Sequence, residues 1–336
     1  MELVAVLVLL VTLAAACGNG GNSPVVAALT SGACLERGRT TVLDGVQPDQ
    51  YRSDPDEGTT LDARDATFTA YPESALYPIS VGSDRAARRF CLIGGRVTGQ
   101  QDRGLTWDQV KERYDGAGAL IAATGGYLVD GLRVDNVEDG IDPRGTDGRF
   151  PKDGDGFVLR NLYFRYIRDD CVENDDVAGG MIEDSLFDGC NTGISERPGD
   201  GSPQLAHPAP ANETLVLRRV LLRLQAMPGP RGHPATVVGH GELFKWSDVA
   251  NRMRIEDSIF LVETMPNGGS ADFPAGTVAR NVTVVWLGSG PFPGKIPTGV
   301  RVTTDRSVWD RARAGWLERH GCTSFTACTR LTDPTA

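Results

Sequence analysis

Gly131-Leu132-Arg133-Val134, Asn161-Leu162-Tyr163-Phe164, Asp184-Ser185-Leu186-Phe187, Arg219-Val220-Leu221-Leu222, Asp257-Ser258-Ile259-Phe260 and Asn281-Val282-Thr283-Val284 are six renderings of one phrase. Each is a Gly, Asn, Asp or Arg followed by an apolar-x-apolar step. The phrase returns after 30, 23, 35, 38 and 24 residues. The short intervals match one turn of a coil of stacked parallel strands, and the longer ones such a turn carrying an inserted loop. Gly94-Gly95-Arg96-Val97 is an earlier echo that opens the coil. The expected fold is all-β, a single-stranded right-handed parallel β-helix with short helical caps. Leu132, Leu162, Leu186, Val220, Ile259 and Val282 are expected to stack inside it. Such a coil presents long side-wall grooves that suit an extended polymer.

Upstream of the coil, Leu3 to Ala16 is apolar apart from Thr12. That is short of the ~20 residues of a membrane span and right for a secretory core, which predicts export. The segment ends in Leu13-Ala14-Ala15-Ala16-Cys17 and runs into the flexible Gly18-Asn19-Gly20-Gly21-Asn22-Ser23-Pro24. This resembles a bacterial lipoprotein lipobox, which implies lipidation at Cys17 and a membrane anchor facing the cell surface or periplasm; an ordinary cleaved signal is the alternative. Removing Cys17 leaves six cysteines, an even number suited to an oxidising compartment. Cys322 with Cys328 would clip the tail, and Cys34 with Cys91 would tie the N-terminal segment to the coil. Cys171 and Cys190 either bridge two rungs or remain thiols packed as small apolar residues.

The organisation read from these signals is a signal peptide over 1–17, a tether over 18–33 and an irregular capping segment over 34–88. The coil follows over 89–304, and a capping helix with a disulfide-clipped tail over 305–336. Thr106 and Asp108 mark the start of a short helix over 106–114. Val308, Trp309, Ala312, Trp316 and Leu317 have the spacing of a helix lying over the last rung. Loops 197–213, 225–241 and 264–276, rich in Pro and Gly, are expected to rim one groove. A net charge of −10 argues against nucleic acid or an anionic membrane face as partner. An anionic sugar polymer is compatible with it when a metal ion intervenes. A monomer is expected.

The chemistry is expected on the strand that follows each phrase. Asp139-Gly140-Ile141-Asp142-Pro143-Arg144 stacks on Asp170-Cys171-Val172-Glu173-Asn174-Asp175 and then on Thr192-Gly193-Ile194-Ser195-Glu196-Arg197. Ile141, Val172 and Ile194 point inward, and period-two alternation turns Gly140, Cys171 and Gly193 outward. Asp142 and Glu173, one rung apart, would perturb each other's ionisation or share a cation. Asp169, Asp170, Glu173, Asn174, Asp175 and Asp176 crowd one turn. Ca²⁺, which takes six to eight oxygens, would relieve that crowding, with Asp142, Asp169, Asp175 and Asp176 as ligands. The other uses are a carboxyl pair about 6.5–9.5 Å apart for inverting glycoside hydrolysis, or a solvated turn whose carboxylates satisfy backbone donors.

The repeats over about 90–300 resemble the pectate-lyase-like, right-handed parallel β-helix superfamily. Asp169-Asp170-Cys171-Val172 with Gly239-His240-Gly241 is similar to the aspartate pair and Gly-His-Gly of polygalacturonases, which implies acid–base aspartates assisted by His240. Glu242-Leu243-Phe244-Lys245-Trp246 resembles the rung of alginate and chondroitin lyases, which implies Lys245 as the base that takes the proton α to a uronate carboxylate. Asp170, Glu173, His240 and Lys245 are thus the catalytic candidates, and Arg144, Arg197 and Trp246 the substrate-binding ones. The expected function is a surface-anchored protein acting on acidic, uronate-containing polysaccharide or envelope glycan as a lyase or glycoside hydrolase. The alternative is a non-catalytic carbohydrate-binding or scaffold lipoprotein.

Overall fold

The structure is a computed structural model that describes residues 31–47, 50–70, 77–114, 116–123, 126–144, 156–202, 205, 213–267 and 271–328. Among the described residues twenty-one strands join in one system in which every pairing is parallel, a parallel β-helix with three walls. The first wall stacks the opening halves of Thr60–Ala70 and Cys91–Gly99, then Tyr127–Asp130, Phe157–Arg160, Gly180–Glu183, Thr214–Arg218, Arg252–Glu256 and Val278–Arg280. The second runs from the closing half of Cys91–Gly99 through Arg133–Asp135 to Leu221–Leu224, Ile259–Val262, Val282–Trp286 and Val300–Thr303. The third stacks Tyr51–Ser53, Ile79–Val81, Ala117–Ala122 and Asp139–Arg144. It continues through the ends of Tyr163–Glu173 and Leu186–Glu196 to Phe244–Trp246.

The repeated phrase marks the corner between the first and second walls. Its opening residue has φ of +83° at Gly131, +53° at Asn161, +41° at Asp184, +55° at Arg219, +50° at Asp257 and +53° at Asn281. The left-handed conformation turns the chain, and Gly, Asn and Asp tolerate it best because they lack a Cβ or bond locally. Asn161 and Asn281 use that freedom to donate from Nδ2 to Asp130 and Asp257 of the preceding turn. The fourth position of the phrase builds an interior column, Val134, Phe164, Phe187, Leu222, Phe260 and Val284. On the first wall Leu92, Val129, Leu159, Ile182, Leu217 and Ile255 build another.

The interior stack differs from expectation at two of six places. Leu132, Leu162, Val220 and Val282 are inside, but Leu186 and Ile259 are third in their phrases and face outward. Ser185 and Ser258 hold the second position instead. Each hydroxyl accepts a backbone N–H from the preceding turn and donates to a backbone carbonyl two residues back, so a polar group is buried without loss. Leu186 and Ile259 are covered by the helix Ser307–Arg319, which lies along the second wall rather than over the last rung. Trp316 donates to the Asp184 carbonyl, and Arg313 pairs with Asp188. The coil also begins earlier than residue 89. Thr40–Gln47 pairs with Thr60–Ala70, which pairs with Cys91–Gly99; a bulge between Ala63 and Thr67 masks that rung's apolar pattern. The span read as tether ends in a helix, Ser31–Glu36.

Disulfides join Cys34 to Cys91, Cys171 to Cys190 and Cys322 to Cys328, which fits an extracellular or periplasmic protein. Among the described residues no helix is long and apolar enough to cross a membrane. The expected signal peptide and Cys17 lie outside the described residues.

Charge is ordered as strictly as the core. On the residue before each corner, Asp130, Arg160, Glu183, Arg218, Glu256 and Arg280 stand in register and alternate in sign over six successive turns. Four residues after the corner, Asp135, Arg165, Asp188 and Arg223 do the same. Arg160 meets Asp130 at 2.8 Å and Arg165 meets Asp135 at 2.7 Å.

Candidate functional site

The third wall carries its interior column on Ala119, Ile141, Val172, Ile194 and Phe244. The strand enters through a bend, so the residue before this column also points in. Cys171 lies in the core, and a Cβ on Gly140 would sit 2.4 Å from the Cys171 carbonyl oxygen and 2.6 Å from the Phe164 ring. Gly140, Cys171 and Gly193 therefore face inward, which corrects the simple alternation. Outer rows flank the two inward ones. One begins each strand with Asp139, Asp170 and Thr192, and the other follows the core residue with Asp142, Glu173, Ser195 and Lys245.

These carboxyls are crowded and nearly dry. Asp170 is 0 % exposed, and its backbone N–H donates to Asp139 Oδ1 at 2.7 Å. Burial, then the Asp169 charge, pushes the Asp170 pKa up to about 7 although Lys245 Nζ lies 2.8 Å from its Oδ2. Burial, then Asp142 and Asp170, pushes Glu173 up to about 9. Burial raises Asp142 to only about 6, because Arg144, 2.7 Å away, opposes it. Asp139 is raised well above the ordinary range by burial and the Glu173 charge. Burial works against the charge on Lys245, but Asp170, Asp169 and Asp175 outweigh it and hold the ammonium protonated.

Glu138, Asp139 and Asp169 bring three carboxylate oxygens within 4.8 Å of one another. Such a group could hold a metal ion, and nothing in it identifies calcium. Lys111, from the helix Trp107–Tyr114, already delivers a positive charge there, with Nζ 2.5 Å from Glu138 and 3.9 Å from Asp169. Of the ligand set expected from the sequence only Asp169 belongs to this group. Asp142 is taken by Arg144. Asp175 accepts from the Ser195 hydroxyl and, at 3.0 Å, from the Arg197 N–H. Asp176 stands close enough to Asp142 to raise its pKa. The oxygens that converge come from successive turns rather than from one.

His240 does not join the wall. It is 0 % exposed, Nδ1 lies 2.9 Å from the Gly241 carbonyl, and Nε2 accepts from the Thr264 N–H. That assigns the neutral Nδ1–H tautomer, and burial lowers its pKa. The imidazole locks two loops together, with Asn267 N–H bonded to the His240 carbonyl. Glu196 is also structural. Its buried carboxyl, pushed by burial to about 8, takes bonds from Asn174 and from the backbone and side chain of Asn251. Trp246 donates from Nε1 to the Asn251 carbonyl at 3.3 Å.

Beyond Lys245 the wall opens into two adjoining recesses. One of about 80 Å³ lies among Trp107, Asp169, Asn191, Arg197, Arg231 and Lys245. The other, about 280 Å³, has Phe244, Trp246 and Phe273 in its lining. Arg197 pairs with Glu242 at 3.3 Å, and the Arg231 guanidinium lies 5.0 Å from the Trp107 ring centre. Arg144 stands three turns before Lys245 on the same wall, 3.3 Å from the Tyr77 hydroxyl. Loops 225–241 and 264–276 meet at this cleft through Asn267, whereas most of 197–213 lies outside the described residues. Sequence reading missed Lys111, Glu138, Asn191 and Arg231. Glu138 was signalled by its place beside Asp139, and Asn191 by its place beside Thr192 on the strand Leu186–Glu196; Lys111 and Arg231 reach the wall from a helix and a loop whose docking no local pattern announces. Comparison with protein-family models, with curated proteins and with solved structures found no match to this chain in any of the three.

Proposed function

We propose that this exported protein binds an extended acidic polysaccharide along the third wall and hydrolyses it with two carboxyl groups, Glu173 as the acid and Asp142 as its ionised partner. The observation that carries this reading is that the two share one outer row on neighbouring turns while their surroundings separate their pKa values, about 9 for Glu173 and about 6 for Asp142. At neutral pH Glu173 holds a proton to give to the glycosidic oxygen, and Asp142, oriented by Arg144, presents negative charge to the developing cation. Adjacent turns stand about 4.8 Å apart, close to the ~5–5.5 Å at which carboxyl pairs work with retention of configuration. Lys245, held as an ammonium against Asp170, is poorly suited to act as a base, which favours hydrolysis over β-elimination. The parallel coil also supports a place in the pectate-lyase-like superfamily.

The near-complete burial of Asp139 and Asp170 favours a second reading, a carbohydrate-binding envelope protein without turnover. Incubation with uronate-containing polymers separates the readings when reducing ends and unsaturated products are followed together. Hydrolysis gives reducing ends alone, over a bell-shaped pH range with limbs near 6 and 9, and Glu173→Gln abolishes it. Unsaturated products lost with Lys245→Ala would replace hydrolysis by elimination, and binding without product would leave the envelope reading. We place the protein at a membrane through lipid on Cys17. Cys17→Ser should shift it to the soluble fraction, and unchanged fractionation would refute the anchor.

A further inference from the structure

The two recesses at the end of the third wall differ in chemical character, and Glu242 and Asn267 line both, so they form one continuous cleft. The smaller sets Arg197, Arg231 and Lys245 against the carboxylates of Asp169 and Glu242. Asn191, only 3 % exposed, adds an amide whose Nδ2 has no hydrogen-bond partner among the described residues. A buried donor without an acceptor is costly, so this recess is completed by a ligand that brings an acceptor, best an anionic one. Its volume of about 80 Å³ has room for a carboxylate and not for a whole sugar ring. The larger recess, about 280 Å³, offers the rings of Phe244, Trp246 and Phe273 with Glu242, Asn267 and Asp272 as its polar groups, and among the described residues no Lys or Arg lines it. A uronate seated there would meet carboxylates of its own sign. A neutral or amino sugar would meet aromatic faces and acceptors.

We propose that the cleft takes a heteropolysaccharide in which an acidic unit alternates with a neutral or amino sugar. The acidic unit's carboxylate sits at Asn191, Arg231 and Lys245, and the next unit sits in the Trp246 recess. This rests on the polysaccharide reading above and narrows it. Calorimetric titration of the full chain carrying Glu173→Gln, with tetrasaccharides of alternating uronate and hexosamine, of uronate alone and of neutral sugar, tests it. The alternating probe binds most tightly. Arg231→Ala, at an exposed side chain, weakens that binding roughly ten- to a hundredfold and leaves the neutral probe unchanged. Asp272→Asn, also exposed, strengthens binding of the uronate-only probe. Equal or tighter binding of the uronate-only probe, or an unchanged affinity in Arg231→Ala, overturns the proposal. Binding of the alternating probe with no turnover by the unsubstituted chain would sink hydrolysis and leave this inference standing. Turnover of a uronate homopolymer at a rate indifferent to Arg231→Ala would do the reverse, and failure of all three probes to bind would sink both.

Discussion

Glu173→Gln should make the protein more stable at pH 8 and leave it about unchanged at pH 5. In the folded chain the Glu173 carboxyl is raised from 4.5 to about 9, first by burial and then by Asp142, Asp170 and Asp175. Between those values the native state holds a proton that the unfolded state has released. Stability tied to this group is therefore complete below about 4.5 and is lost progressively as pH rises through about 9. The whole displacement would correspond to about 6 kcal/mol. Three neighbouring carboxyls share the repulsion and water reaches the site's edge, so about 1–3 kcal/mol is the expected effect at pH 8. Glutamine keeps the shape and the donor of the protonated acid while removing the charge. Urea denaturation of both chains from pH 5 to pH 9 measures the difference directly. The unsubstituted protein should lose midpoint with rising pH and the variant should lose less. Parallel curves, or a variant less stable at pH 8, would refute the account of a carboxyl kept neutral by its surroundings.

Lys245→Ala strips Asp170 of its partner in a fully buried site and should cost about 3–5 kcal/mol at pH 8, less at pH 5, where Asp170 can take up a proton. Adding Asp170→Asn should recover most of the loss; additive losses in urea melts would contradict the pairing. Arg218→Glu puts a third carboxylate between Glu183 and Glu256 and should cost about 2–4 kcal/mol, far more than an ordinary surface change, with a change under about 0.5 kcal/mol as the refuting result. His240→Ala removes both loop bonds and should lower the melting temperature and speed proteolysis between 225 and 276, while any turnover keeps the shape of its pH profile. A lost acidic or basic limb would restore a catalytic role to His240.

The coil was legible because its corner demands a backbone conformation that few residues tolerate, so Gly, Asn and Asp recur there and the strands follow at fixed distances. Where that demand was met by Arg219 the phrase remained readable only through its apolar step. The side on which Leu186 and Ile259 point was misread because Ser185 and Ser258, polar yet fully bonded, occupy the interior position and displace the apolar pattern by one. The acidic wall was visible as Asp139, Asp142, Asp170 and Glu173, since stacking turns needs only the register. What cations and loops do to that wall was not visible. Lys111 arrives from a helix, Arg231 from a loop, and His240 turns its ring into the loops instead of the cleft, all by long-range packing. The charge ladders were present in the sequence, one on the residue before each phrase and one on the residue directly after four of them, but they emerge only once the turns are aligned.

Strict alternation of sign along those ladders limits how such a coil can be shortened or lengthened. Removing the turn that carries Glu183 would set Arg160 against Arg218, and duplicating it would set Glu183 beside its own copy. Taking out two consecutive turns restores opposite neighbours everywhere. The molecule thus has a parity. Its viable length variants differ by an even number of turns, although the apolar core, which is nearly the same on every turn, would accept any number. A deletion series one turn at a time should show stability that alternates between low and high, and recombination between related coils should favour crossovers that conserve the count modulo two.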